Sequence, residues 1–197
     1  YYPRPRDVAL ARRYGLEGRR VLVTVGRLAG KERYKGFDEV LEALPELLRE
    51  EPGLCYVIVG DGADRPRLEE KAAGLGLADH VIFTGYVSEE EKKGWYSLAD
   101  VFVMPSRGEG FGIVFLEAMA SGVPVIGSSV DGSREALLDG RLGLLVDPGD
   151  RGALIAAIRE AFSRPRGRPP GVEYFDVAAF QQRVTELVRE LVAARVS

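Results

Sequence analysis

The sequence has very little of several residue types. One cysteine, one histidine and no asparagine occur in the chain. A single cysteine excludes an internal disulfide framework, so Cys55 is predicted to be a small buried residue. His80, which precedes the third predicted strand, is predicted to be structural. No run approaches the roughly 18 apolar residues that span a bilayer, which predicts a soluble protein. We expect it in the cytoplasm, either free or peripheral at the inner face of the membrane. The net charge of -3 argues against general nucleic-acid binding.

Length and apolar content fit one well-cored domain. The chain has 197 residues, of which 46% are hydrophobic, enough for one domain and too few for two large ones. It begins Tyr1-Tyr2-Pro3-Arg4-Pro5, without an initiator methionine. This start is typical of a connector, so we expect a fragment of a longer protein, with residues 1–19 forming a linker and a first helix.

Short β-branched runs alternate with longer helical patterns, which favours βα units and a parallel sheet. Strands are predicted at Arg20–Val25, Cys55–Val59, Val81–Thr84, Val101–Met104, Val123–Gly127 and Gly143–Val146. Helices are predicted at Phe37–Glu50, Arg65–Leu75, Glu89–Leu98, Ile113–Ala120, Ser133–Leu138 and Arg151–Ser163. The fold class is therefore α/β, a Rossmann-like doubly wound parallel sheet of about six strands. Residues 164–171 form a basic, proline-rich stretch interpreted as a solvated connection, and residues 172–197 a C-terminal helical region with its helix at about Asp176–Ala194.

A glycine-rich turn, Ser106–Gly112, joins the fourth strand to the helix that begins at Ile113. Strand, turn and helix in this order present backbone N–H groups and a positive helix end to phosphate. Glu109 and Glu117 bracket the turn, and Glu117 lies roughly 7 Å along the helix, where it can accept hydrogen bonds from a ribose. This spacing suits a ligand with a central pyrophosphate and hydroxyl-rich groups at both ends, such as a nucleotide-sugar.

A second, basic loop follows the first strand, at the carboxyl edge where ligands of such sheets bind. Arg27 can bind a diphosphate as a fork and Lys35 as a point charge, whereas Lys31 and Arg33 are expected in solvent. Two further turns close the second and third strands, Gly60-Asp61-Gly62 and Gly85-Tyr86-Val87. Either could hold a base through backbone groups, and both also fit ordinary turns.

Ordered motifs of this kind cover nearly the whole chain. They are Val25-Gly26-Arg27-Leu28 with Lys35-Gly36, Val57-Ile58-Val59-Gly60-Asp61-Gly62, Val81-Ile82-Phe83-Thr84-Gly85-Tyr86-Val87, Ala99-Asp100-Val101-Phe102-Val103-Met104-Pro105-Ser106, and an E-x7-E segment from Glu109 to Glu117 that continues to Ile126. The set resembles the C-terminal, donor-binding domain of bacterial retaining GT-B glycosyltransferases of family 4, group 1. The resemblance implies one half of a GT-B fold, with the N-terminal acceptor domain absent.

The resemblance also implies roles for individual residues. The catalytic residues would be Arg27 and Lys35, which stabilise the charge on the leaving diphosphate, and Glu109, which contacts sugar hydroxyls. Glu117 would bind the ribose. The remaining donor-binding positions would be Gly26, Tyr86, Val87, Gly110, Phe111, Gly112 and Ile113, with Tyr86 and Val87 around the base and amides near Gly112 on the phosphate.

The resemblance further implies transfer of a hexose with retention of configuration, without a metal or another cofactor. The substrate would be a UDP-, GDP- or ADP-sugar, and the partner the protein's own acceptor domain, to which any membrane contact would also belong. The chain departs from the family pattern at the Lys31–Tyr34 insertion and at Ser129–Glu135, which replaces a double-glycine version and leaves Asp131 and Ser133 near the sugar or phosphate. A fragment alone should be inactive.

Two alternatives remain open from the sequence. A nucleotide-sugar epimerase of the same fold would share the phosphate-binding helix end, although the Glu109/Glu117 pair is not expected there. A non-catalytic nucleotide-binding module is the alternative outside enzymes, and the joint presence of Arg27, Lys35 and both glutamates weakens it. A nicotinamide dehydrogenase is disfavoured, because the residues after the first strand lack its glycine fingerprint.

Overall fold

The strands form one parallel sheet. The computed structural model describes residues 1–31 and 33–196; Glu32 of the predicted insertion and Ser197 of the predicted C-terminal helical region lie outside the described residues. The strands are β1 (Val21–Val25), β2 (Cys55–Val59), β3 (Val81–Gly85), β4 (Val101–Val103), β5 (Val125–Ser128) and β6 (Leu144–Val146). Their order is β3-β2-β1-β4-β5-β6, with every neighbouring pair parallel. The predicted six-stranded α/β fold is confirmed.

Helices connect the strands at the predicted places, within a few residues at each end. They are α1 (Val8–Arg13), α2 (Phe37–Glu50), α3 (Arg65–Gly74), α4 (Glu89–Leu98), α5 (Ile113–Ala120), α6 (Ser133–Ala136), α7 (Arg151–Ser163) and α8 (Val177–Val196). Local chemistry explains the starts of two of them. Ser88 and Glu91 form a reciprocal capping box at α4, and the Asp150 side chain accepts from Ala153 N at α7; serine and aspartate are favoured at such cap positions.

The core lies in two layers, one on each face of the sheet. Val21 and Val23 of β1 pack in a cluster with α1, α4 and α5, whereas Leu22 packs in another with α2, α3 and α7. Alternate strand residues point to opposite faces, so one apolar strand supplies both layers. Cys55 is buried as predicted, and a ring nitrogen of His80 lies 3.0 Å from the Leu54 carbonyl oxygen.

The sheet order creates a crevice between β1 and β4, which are adjacent at its centre. The chain leaves β1 for α2 on one face and leaves β4 for α5 on the other. The two loops therefore diverge at the carboxyl edge, and ligands of open α/β sheets bind at such a switch point.

The C-terminal region follows its prediction and adds two local features. The final helix begins at Val177, one residue after the predicted start at about Asp176, and Val172–Phe175 form a 3-10 turn ahead of it. Residues 164–168 are exposed, as predicted for a solvated connection, and the Arg166 guanidinium also donates to the carbonyl oxygens of Ala99 and Tyr96 at the end of α4. None of the helices within residues 1–31 and 33–196 has the length and apolar character needed to cross a membrane.

Candidate functional site

The loops that follow β1 and β4 pack directly against each other. Gly36, at the start of α2, has a φ of 84°, and a Cβ there would lie 2.6 Å from the Pro105 carbonyl oxygen. Arg107 N donates to Tyr34 O at 2.7 Å, and a Cβ on Gly108 would lie 3.3 Å from the Tyr34 ring. Backbone thus approaches backbone at the switch point, which requires glycine at position 36.

This contact brings two of the predicted site residues together. Lys35 Nζ donates to Glu109 Oε2 at 3.0 Å, and the two side chains are only 13% and 19% exposed. Lys35 reaches this position despite the Lys31–Tyr34 insertion, because Arg33–Lys35 form a 3-10 turn that leads straight into α2. Arg33 is exposed as expected, at 59% of its side chain, and its guanidinium also donates to Asp64 at 3.1 Å. A basic and an acidic group therefore share one wall of the crevice.

Gly26 and Arg27 lie where β1 ends. Gly26 N donates to Val59 O at 3.0 Å and Leu28 N to Asp61 O at 2.9 Å, which ties this loop to the end of β2. Arg27, between the two anchors, is exposed at the carboxyl edge of the sheet. A short loop held at both sides fixes the backbone of Arg27 beside the crevice. The Gly60-Asp61-Gly62 segment thus acts as the turn that anchors this loop.

The glycine-rich turn leads to an open helix end. Gly112 is the N-cap of α5 with a φ of 83°, and among the described residues no side chain caps it. Phe115 N donates to Gly112 O at 2.9 Å. The amides that precede it in the first turn of a helix have no intrahelical partner, and here Ile113 is 68% exposed. Apart from Gly110 itself and its two chain neighbours, no described residue has an atom within 4 Å of the position that a Cβ on Gly110 would occupy. Uncapped amides, a positive helix end and free space next to them suit a phosphate group.

Asp131 holds the turn in this shape. Its Oδ2 accepts from Ser106 Oγ at 2.6 Å and from Glu109 N at 2.9 Å. Its Oδ1 accepts from Ser133 N at 3.0 Å and from Ser133 Oγ at 2.6 Å. These four bonds use the full acceptor capacity of one carboxylate. Asp131 lies near the candidate phosphate site as expected, but its side chain is committed to the turn.

Glu117 lies inside α5, and its carboxylate contacts two side chains of α4. Lys92 Nζ donates to Oε1 at 3.0 Å and Tyr96 Oη to Oε2 at 2.9 Å. Burial, followed by the Glu117 charge, raises the pKa of Tyr96 well above its usual value, so its hydroxyl stays protonated and donates. Sequence reasoning missed Lys92 and Tyr96. Their i,i+4 spacing signals a shared helix face but not what that face meets.

The other predicted positions are more scattered. Tyr86 follows the edge strand β3 and is 87% exposed, whereas Val87 is half-buried against the core. The Phe111 ring packs edge-on against Phe175 at 5.7 Å, which ties the turn to the C-terminal region. The structure therefore joins Lys35, Glu109 and the end of α5 closely, and places Tyr86 on the same edge of the sheet but at its end strand.

Comparison with known proteins identifies relatives of this chain. Residues 19–164 match the family described as Glycosyl transferases group 1. The chain belongs to this family. Over 161 residues it is 42% identical to a GDP-mannose-dependent alpha-(1-6)-phosphatidylinositol monomannoside mannosyltransferase of Mycolicibacterium smegmatis, covering 78% of the chain and 41% of the relative. It is 39% identical to the alpha-D-kanosaminyltransferase of Streptomyces kanamyceticus, covering 73% of the chain and 36% of the relative. The chain thus spans about two fifths of the length of these curated relatives.

Solved glycosyltransferase structures share the fold. Sucrose-phosphate synthase from Thermosynechococcus elongatus superposes with a TM-score of 0.77 at 31% identity, over 98% of this chain and 50% of that one. The Anabaena protein Alr3699/HepE, solved with UDP and glucose, gives 0.79 over 96% of this chain and 53% of that one; at 24% identity this likeness concerns the fold alone. The C-terminal domain of a glycosyl transferase group 1 protein from Francisella tularensis gives 0.65 at 26% identity, over 83% of this chain and 86% of that one.

Proposed function

We propose that this group 1 glycosyltransferase chain binds a nucleotide-sugar and, together with an acceptor domain, transfers its hexose with retention of configuration. One observation carries the proposal. At the β1/β4 switch point the open end of α5 lies beside Lys35 and Glu109, with Glu117 further along the same helix. The groups thus follow one another in the order of the parts of a nucleotide-sugar: Glu109 for the sugar, the end of α5 with Lys35 for the phosphates, and Glu117 for the ribose.

The helix end and the two cations would act on the diphosphate. Amides around Gly112 would hold the phosphate next to the sugar, and Arg27 and Lys35 would stabilise the negative charge that develops on the leaving nucleotide. The turn that carries these amides is fixed before the donor arrives, because Asp131 holds it through Ser106 and Glu109. Preorganised charge of this kind needs little rearrangement during the reaction, and the proposed role requires no metal.

The ion pair between Lys35 and Glu109 has a place in this mechanism. A diphosphate carries more negative charge than one carboxylate and would compete with Glu109 for the Lys35 ammonium. Glu109 would then be available to accept hydrogen bonds from the hydroxyls of the sugar. Because both side chains are largely buried, a neutral substitution of either one leaves a poorly solvated charge beside the donor.

The names of the relatives suggest which donor to test first. The mycobacterial relatives at 42–43% identity are GDP-mannose-dependent mannosyltransferases, while the relative at 39% identity is a kanosaminyltransferase. The groups that we assign to the phosphates and hydroxyls do not choose between GDP, UDP and ADP, because these nucleotides differ only in the base. GDP-mannose is therefore the leading candidate, with UDP-glucose and ADP-glucose as comparison donors.

Thermal unfolding of the chain and of its full-length protein with each donor tests binding. A donor present at 100 times its dissociation constant adds about 2.7 kcal/mol of stability, which corresponds to a rise of about 5–10 °C in Tm for a domain of this size. The shift should disappear in Glu117→Ala and persist in Glu70→Ala, an exposed glutamate on α3. If no donor shifts the Tm of either the parent chain or the full-length protein, nucleotide-sugar binding is refuted.

Turnover by the full-length protein separates the enzyme classes. A transferase consumes the donor only when an acceptor sugar or lipid-linked sugar is present, and the product keeps the anomeric configuration of the donor. Conversion of the donor to its epimer without an acceptor would instead identify an epimerase. Donor binding without turnover under either condition would identify a non-catalytic module.

A further inference from the structure

Glu117 is held by a small network that lies between α4 and α5. Its side chain is 13% exposed and that of Lys92 15%, while Tyr96 is fully buried. Lys92 also pairs with Glu89 at 2.9 Å, and its ammonium lies 5.6 Å from the centre of the Tyr1 ring. A lysine held by several partners keeps one position, so the carboxylate that it contacts is also fixed.

The hydrogen bonds to Glu117 leave a defined part of its acceptor capacity unused. An ionised carboxylate can accept about four hydrogen bonds, two at each oxygen. Lys92 uses one site on Oε1, and Tyr96 uses one on Oε2. One acceptor site therefore remains on each oxygen, and the remaining exposure of the side chain lets a ligand reach them. Two parallel acceptor sites of this kind fit two neighbouring hydroxyl donors.

We propose that Lys92 and Tyr96 are positioning residues, which orient the Glu117 carboxylate so that it accepts hydrogen bonds from both vicinal hydroxyls of the donor ribose. The inference rests on the proposed donor-binding function. It assigns the selection of ribose over a deoxygenated sugar to a pair of residues on α4 that lies behind the ligand-binding helix. Lys92 stays charged in this role, because its hydrogen bonds to Tyr1, Glu89 and Glu117 raise its pKa despite the opposing effect of burial.

The adjacent lysine provides a matched control. Lys93 is the next residue on α4, but its ammonium pairs with Glu90 at 2.9 Å. Replacing Lys92 or Lys93 by methionine removes the same charge and keeps a similar chain length. Only Lys92→Met removes a contact with Glu117. Lys92→Arg keeps the charge and the donor capacity and serves as the conservative variant.

The measurement is the dissociation constant of UDP, GDP or ADP, whichever binds tightest, and of its 2′,3′-dideoxy counterpart, by calorimetry on the chain and on the full-length protein. A hydrogen bond to a charged group favours the ribonucleotide by roughly tenfold or more. We expect Lys92→Met to lower the ribo-to-dideoxy affinity ratio at least about fivefold, since the carboxylate loses its orientation. Lys93→Met and Lys92→Arg should keep the ratio within about twofold of the parent.

The ratio separates positioning from general effects of charge and folding, because a lost cation weakens binding of both nucleotides alike. An equal loss of affinity for both nucleotides in Lys92→Met, or an unchanged ratio, overturns the inference. A parent protein that binds both nucleotides equally overturns it as well and leaves donor binding intact. If neither nucleotide binds to either protein, the proposed function itself fails.

Discussion

Two glycines of the glycine-rich turn offer a pair of substitutions that separates effects on folding from effects on ligand binding. Gly112 has a φ of 83°, and a Cβ there would lie 2.5 Å from Cδ2 of the buried Phe115. Gly110, two residues earlier, is not among the glycines with positive φ, and open space surrounds the position of its Cβ. Gly112→Ala should therefore destabilise the domain, whereas Gly110→Ala should leave its stability nearly unchanged.

The structure gives the size of the first effect. A residue with a Cβ in the left-handed region costs about 1–2 kcal/mol, and forcing a methyl group against a packed ring such as that of Phe115 costs about 1–3 kcal/mol. A total near 3 kcal/mol lowers the Tm of a domain of this length by about 6–12 °C. Gly110→Ala should change the free energy of unfolding by no more than about 0.5 kcal/mol.

Urea unfolding followed by circular dichroism measures both changes, and the slope of each transition checks that both variants unfold as the parent does. Nucleotide titration of the same samples adds the functional comparison. A methyl group on Gly110 fills part of the open space in the turn before α5, where we propose that the phosphate binds. We therefore expect the affinity for the donor to fall by at least about tenfold, or about 1.4 kcal/mol. Equal stability losses in the two variants, or a loss below 0.5 kcal/mol in Gly112→Ala, would refute this reasoning.

Three further substitutions test what holds the domain together. Hydrogen bonds from Arg67 lower the pKa of Asp38 to about 2 against the opposing effect of burial. The ionised Asp38 therefore stabilises the fold above about pH 4, and this contribution is lost as the pH falls towards 2. Asp38→Asn should lack it and lose on the order of 1 kcal/mol of stability at neutral pH, a value that allows for partial solvation. Asp131→Asn should cost about 2–3 kcal/mol, because the amide replaces one acceptor oxygen by a donor that faces other donors. Arg166→Ala should cost about 1–3 kcal/mol by leaving carbonyls at the end of α4 without their donor.

Controls for these variants are present in the chain. Urea midpoints measured from pH 2 to pH 7 for Asp38→Asn and the parent should converge at the acidic end and diverge above pH 4; parallel curves would contradict the role assigned to Asp38. Asp139→Asn, at a side chain 73% exposed, should leave stability and donor affinity unchanged, in contrast to Asp131→Asn. Arg164→Ala, in the same loop as Arg166, removes only a pairing with Glu160 and should have little effect. A loss as large as that of Arg166→Ala would contradict the role assigned to the hydrogen bonds of Arg166.

Most of the fold follows from the sequence, because its local signals agree with one another. The apolar strand runs, the capping box at Ser88 and the cap at Asp150 each specify an element boundary without help from distant residues. The 3-10 turn at Val172–Phe175 was not predicted, because four residues are too few to show a helical period. The hydrogen bonds of Arg166 were missed for a different reason, since arginine-rich loops are usually solvated and only the structure shows that this exposed loop passes the carbonyl oxygens at the end of α4.

The candidate site likewise contains residues that the sequence predicts and residues whose role it does not predict. Residues that act through the backbone or at the end of a strand, such as Lys35, Glu109 and Gly112, are predictable, because parallel topology alone brings the ends of β1 and β4 to one edge. The supporting roles of Lys92, Tyr96 and Asp131 are not, because each acts by contact between elements whose relative placement the sequence does not state; for Asp131 the sequence predicts the place but not the role. These three residues hold the turn and the Glu117 carboxylate in place while their own polar atoms bond to the protein. The predictable residues thus form the surface that the donor would meet, and the residues whose role appears only in the structure form the support behind it. Stability and ribose selection, rather than turnover alone, are therefore the measurements that distinguish the two sets.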